Sequence, residues 1–144
     1  MTLVSTCIRA SGEFVNSNYQ YDRVMKLRLR QNSLRLRLNQ KEVAFLASGS
    51  ALEEGVAFPN NSRLVCRLFT TPGSSASADF SGGIVTITIP EHSANDWQSS
   101  TVMGLYYKLD SLQISIEKDL ECRDLPAEEQ DPDAYPRQTS ASCS

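Results

Sequence analysis

Five cations stand at alternate positions on either side of a short polar break: Lys26, Arg28 and Arg30 before Gln31-Asn32-Ser33, then Arg35 and Arg37 after it. In a strand every second side chain shares a face, so this segment reads as a hairpin with one cationic face and one apolar face made of Met25, Leu27, Leu29, Leu34, Leu36 and Leu38. A cationic face of this kind can donate charge-assisted hydrogen bonds to carboxylates or phosphates. Like charges opposed across a ladder are mildly destabilising, so a negative counterpart is expected close by. It has three possible sources: the chain's own acidic segment, an acidic protein or a second copy in a homodimer, and a nucleic acid, whose binding would depend steeply on salt.

The net charge of −3 conceals how strongly charge is segregated along the chain. Between Arg23 and Lys41 there are seven cations and no acid; between Glu117 and Asp133 there are eight acids against Lys118 and Arg123. The acidic segment is therefore the nearest candidate for covering the cationic face, and the overall pI of about 5.1 argues against a general polyanion binder.

Catalytic chemistry has poorer material. Cys122 lies beside Arg123, which lowers a thiol pKa, but surrounding acids act in the opposite direction. Glu128, Glu129, Asp131 and Asp133 offer oxygen ligands without the glycine and closing glutamate of an EF-hand loop. His92, the only histidine, falls near the start of a predicted helix, on its surface. Cys7, Cys66, Cys122 and Cys143 are widely scattered with no CxxC pair, which points to free thiols rather than disulfides or zinc. A thiol- or metal-dependent enzyme using Cys122 and the tail carboxylates is accordingly the alternative; the primary expectation is a non-catalytic protein without cofactor or metal.

The elements that must position these residues follow from period and punctuation. Asn39 with Glu42 forms a capping-box pattern that opens a short helix carrying Val43 and Leu46 inward, and Gly49 can end it. Ala51 to Phe58 reads as a strand, Pro59-Asn60-Asn61-Ser62 as a turn, and Leu64, Cys66 and Leu68 alternate in the next strand. After the linker Thr71-Pro72-Gly73-Ser74-Ser75 the order repeats. At an offset of 51, Leu34, Leu36 and Leu38 fall on Val85, Ile87 and Ile89, and Leu46 on Trp97. Ser81-Gly82-Gly83 supplies the hairpin turn, Pro90 the start of a helix over 91–98, Val102 to Leu109 a strand, and Leu112, Ile114 and Ile116 the last one, with Tyr106 and Tyr107 on opposite faces.

The expected fold is mostly β with two short helices. A duplicated strand-strand-helix-strand-strand unit, with copies at about 25–70 and 76–119, clasps its twin about a pseudo-two-fold axis to form one small closed or nearly closed barrel. Residues 1–24 read as a flexible extension and 120–144 as an acidic, proline-rich tail unable to bury enough apolar surface to offset its ordering entropy. No apolar run is long enough to span a bilayer, and the opening residues lack a secretion signal, so a cytoplasmic location is expected.

The stretch IVTITIPEHSANDWQSSTVMGLYYKLDSLQISIEKD resembles the swapped-hairpin element of AbrB/SpoVT-type proteins, and residues 34–69 resemble it more weakly. The resemblance implies hairpins exchanged between two units, and a DNA-binding regulator as a further alternative. It implies no site residues, since the basic residues of that family have no one-to-one match in this chain. The opening MKLRLRQNSLRLRLNQKEV, the IEKD stretch from Ile116, Cys122 and the tail ending in Tyr135-Pro136 also resemble a family of small bacterial proteins of unknown function.

The binding surface expected from the sequence is Lys26, Arg28, Arg30, Arg35 and Arg37, facing an acidic ligand.

Overall fold

The computed structural model describes residues 25–120 and 132–136, together with the backbone of 6–8 and 14–16. Two short strands, β1 (Thr6–Ile8) and β2 (Phe14–Asn16), pair with one another. The remaining elements run β3 (Lys26–Arg30), β4 (Ser33–Leu38), α1 (Gln40–Ala47), β5 (Leu52–Ala57), β6 (Arg63–Thr71), β7 (Ser77–Ser81), β8 (Ile84–Pro90), α2 (Glu91–Gln98), β9 (Gly104–Leu109) and β10 (Leu112–Lys118).

Eight of these strands form two four-stranded sheets, ordered β3-β4-β10-β9 and β5-β6-β8-β7. Each sheet therefore takes one hairpin from the first half of the chain and one from the second. The two hairpins meet through central parallel pairs, β4 with β10 and β6 with β8. Exchanging β3–β6 for β7–β10 turns the first strand order into the second, and the exchange holds residue by residue. Leu34, Leu36 and Leu38 lie opposite Ile114, Ile116 and Lys118; in the other sheet Val85, Ile87 and Ile89 lie opposite Cys66, Leu68 and Thr70. Even one turn hydrogen bond has its counterpart: Gln113 N–H donates to the Asn32 carbonyl (3.2 Å), and Val65 N–H to the Gly83 carbonyl (2.9 Å).

The core is the inward face of these central strands closed by the two helices. Leu36, Leu38, Leu68, Ile87, Ile89 and Ile116 are fully buried, and so are Leu46 of α1 and Trp97 of α2 to within 2%. Each such side chain contributes about 1.5–3 kcal/mol on burial. The helices start differently but for legible reasons. Asn39 and Glu42 complete the reciprocal capping box, each side chain accepting the other's amide at 2.9 Å. Pro90 instead caps α2 with its backbone alone, at φ −63°, while still serving as the last residue of β8. Its ring presets that angle, and the first turn of a helix needs no N–H there.

Three expectations are corrected. The barrel is not closed: β3, β5, β7 and β9 each end a sheet, and among the described residues no ladder joins one sheet to the other. Both sheets and both helices contribute to one buried cluster without that closure. The first hairpin loop has two residues rather than three. Gln31 and Asn32 both take positive φ (47° and 60°), as a turn matched to strand twist requires, and Ser33 belongs to β4. Finally, part of the acidic segment packs. Ala134 is buried and Tyr135 lies against the core; Tyr135 N–H donates to the Asp119 carbonyl (2.7 Å) and Gln40 N–H, at the start of α1, to the Asp133 carbonyl (2.9 Å).

Candidate functional site

Register decides where the cations go. Lys26 lies opposite Arg37 and Arg28 opposite Arg35 across the β3–β4 ladder, with Arg30 opposite Ser33. All five therefore share the outer face of the first sheet, while their alternates Leu27, Leu34 and Leu36 pack inward. Arg28 and Arg30 are exposed, and Arg35 and Arg37 partly covered.

The negative counterpart comes from the opposite end of the chain. Parallel pairing of β4 with β10 sets Glu117 beside Arg37 and Ser115 beside Arg35. The Glu117 carboxylate lies 3.5 Å from Arg35 Nε and 3.8 Å from Arg37 Nε, and it accepts a hydrogen bond from the Tyr106 hydroxyl at 3.0 Å. Burial, then the hydrogen bond and negative charge of Glu117, push the Tyr106 pKa up. Lys26 pairs with Asp119 at 2.8 Å; Asp119 has only 6% of its side chain exposed. Arg28 and Arg30 form no ion pair with any described residue.

The matching face of the second sheet shows that this charge is not a requirement of the fold. Where the first sheet has Lys26, Arg28, Arg30, Arg35 and Arg37, the exchange of halves places Ser77, Asp79, Ser81, Thr86 and Thr88. On this sheet Arg67 pairs with Glu53, Nε to Oε2 at 2.6 Å.

Beside the cationic face, Lys118 is buried, and burial lowers its pKa. Its ammonium donates to the Ser100 carbonyl at 2.7 Å and stands 5.8 Å from the centroid of Trp97 and 5.2 Å from that of Tyr135. Two aromatic faces and a carbonyl thus replace the water it loses. Tyr135 comes from the packed end of the acidic segment, which is also tied by Lys41 to Asp133 (3.3 Å).

Among the described residues, those considered for catalysis are not brought together. His92 is exposed on α2, and Cys66 is a buried thiol whose pKa burial pushes to about 11. Cys122, Cys143, Glu128, Glu129 and Asp131 lie outside the described residues, as does the side chain of Cys7; Asp133 meets Lys41 instead. Among the described residues no three His, Cys, Asp or Glu side chains gather as metal ligands, and no helix is long and apolar enough to cross a membrane.

Sequence reasoning identified the cations and the acidic segment opening at Glu117 that answers them, but not which acid meets which cation. Glu117 was legible as an outward position of the last strand. Its partners were not, because parallel pairing between strands some 80 residues apart leaves no local trace. Tyr135 carried no signal in a segment dominated by acids and prolines.

No curated protein matches the chain. A family model does match it, over residues 25–139, a span that takes in both sheets, both helices and the docked residues 132–136 but not β1 and β2. The chain belongs to that family, which is described as a family of unknown function, DUF7009.

Proposed function

We propose that the protein is a non-catalytic binding domain of the cytoplasm whose outer β3–β4 face captures an acidic ligand through Arg28 and Arg30, with Lys26, Arg35 and Arg37 beside them. One observation carries this reading. The chain's own acids answer part of the face, Glu117 and Asp119 meeting Lys26, Arg35 and Arg37, and leave Arg28 and Arg30 exposed without a described acid. The second sheet does without cations at the same positions, so the fold does not demand them. Exposed guanidiniums lose little hydration on meeting carboxylates or phosphates and bind them in forked geometry.

A second reading rests on the strand order. Each sheet combines one hairpin from either half, which is the exchange expected of tandem AbrB/SpoVT-like units, and it supports kinship with DNA-binding barrels of that type. In that case the same cationic face meets phosphates.

One titration tests both. At low salt the full chain is titrated with poly-L-glutamate and with a DNA duplex, and again as the Arg28→Glu/Arg30→Glu variant. The binding reading requires polyglutamate affinity that the double reversal removes. Clear preference for the duplex favours the regulator reading instead, and affinity for either polymer that survives the reversal ends the assignment of this face.

A further inference from the structure

The two halves differ at the gap between β3 and β5. An open groove of about 450 Å3 lies between the edges of β3 and β5, lined by Met25, Leu27 and Leu29 on one side and by Val56, Leu64 and Cys66 on the other. Exchange of halves explains why no described side chain fills it. Tyr107 pairs with Ile114 on β10, and Glu54 pairs with Cys66 on β6, so the two occupy matching places. Tyr107 is half-buried against the core, whereas Glu54 is exposed and leaves its share of the space unfilled. At the mouth of the groove Leu29 is 66% exposed and Val56 53%, both costly apolar surface to leave in water.

The two edges bordering this groove are not alike. A two-residue loop makes its flanking pair, Arg30 and Ser33, a hydrogen-bonded one, so alternation turns the backbone N–H and C=O of Leu27 and Leu29 away from β4 and toward the open edge. On β5 the corresponding position is already engaged: Gly55 N–H donates to the carboxylate of Glu54 at 3.0 Å. Among the described residues the edge of β3 is thus the free one, able to accept a strand. Its outward side chains are Lys26, Arg28 and Arg30, charges that repel a second copy of the same edge.

We infer that β3 receives an added strand: an extended peptide segment of an acidic protein, alternating apolar and acidic residues. Its apolar side chains fill the groove over Cys66, its backbone pairs with Leu27 and Leu29, and its carboxylates lie beside Arg28 and Arg30. Charge complementarity selects this occupant, because a strand added to β3 carries its outward side chains directly alongside those guanidiniums. This deepens the cationic-face reading and rests on it.

The test uses the full chain and two synthetic peptides of one composition, half valine and half glutamate, the first strictly alternating and the second with the same residues in blocks. Calorimetry is expected to show the alternating peptide bound at least tenfold more tightly. N-methylating its β3-facing amides should abolish that preference, and Leu29→Glu, at an exposed position, should weaken binding at least tenfold without changing the melting temperature. Equal affinity for the two peptides overturns strand addition while leaving the cationic face as a ligand site. Binding indifferent to N-methylation also overturns it, and failure of both peptides to bind removes this inference and the reading beneath it.

Discussion

Glu117 stands beside Arg37 on parallel strands drawn from opposite ends of the chain, its carboxylate 3.8 Å from Arg37 Nε and 3.5 Å from Arg35 Nε. A single acid thus answers two cations in the middle of the most positively charged face of the fold. Replacing it with glutamine keeps the shape and removes the charge. Glu117→Gln is expected to cost about 0.5–1 kcal/mol, as befits partly exposed pairs. The sign of the salt effect should also shift, because added salt would now screen net repulsion among Lys26, Arg28, Arg30, Arg35 and Arg37. Urea unfolding at low and high ionic strength checks this; a variant less stable at high salt than at low would contradict it.

Tyr135 and Trp97 both lie against the Lys118 ammonium, their ring centroids 5.2 and 5.8 Å from it, and the Tyr135 amide is bonded to the Asp119 carbonyl. Tyr135→Ala removes a half-buried ring and rehydrates the ammonium, so the loss is partly offset. We expect a net cost of about 1–2 kcal/mol, below the range for a fully buried aromatic. Amide exchange should quicken at Gln40, whose N–H bonds to Asp133. Unchanged protection there would mean that residues 132–136 hold their place without the ring.

How much of this was legible can be seen in particular residues. Lys26 through Leu38 declared their hairpin because period-two alternation is local, and Asn39 with Glu42 declared the helix start because a capping box spans only four residues. The offset relating Leu46 to Trp97 survived since both fill the same layer of the core. What could not be read was long-range. That Glu117 meets Arg37 depends on a parallel ladder between the first and last hairpins, and the groove beside β3 goes with Glu54 standing where Tyr107 stands in the other half. The packing of Tyr135 was hidden for a different reason: average composition around it argues for solvation, while one aromatic ring and two backbone bonds suffice to dock it.

Neighbouring glycines in the β7–β8 turn should respond very differently to substitution. Gly82 has φ +59° with nothing within 4 Å of an added Cβ, whereas at Gly83, φ +80°, that carbon would lie 2.7 Å from the Arg63 carbonyl oxygen. Asparagine tolerates the left-handed region, so Gly82→Asn is expected to be nearly neutral. Gly83→Ala combines backbone strain with a clash against main chain and should cost about 1–3 kcal/mol, lowering the melting temperature several degrees. It should also disturb the Val65 to Gly83 hydrogen bond that joins β6 to this turn. Similar melting temperatures for the two variants would refute the distinction.

Alkaline pH offers a test of the core itself. Burial raises the Cys66 thiol from 9.0 to about 11. It also raises Tyr107 and Tyr135, and Tyr106 with help from the Glu117 carboxylate. For each of these groups the folded state holds its proton to higher pH than the unfolded state does. Between the two pKa values the native protein therefore binds more protons, and stability falls as pH rises. Lys118 has the opposite sign, since its lowered pKa makes the unfolded chain the better proton binder just below the lysine model value of 10.5. The first loss, beginning near pH 9, thus belongs to Cys66, and one group of this kind changes stability by up to about 1.4 kcal/mol per pH unit. Cys66→Ala should be less stable at neutral pH, because it leaves a small void, yet should lose stability less steeply between pH 9 and 10 than the parent. Parallel curves for the two proteins over that interval would show that the thiol does not titrate within a buried site.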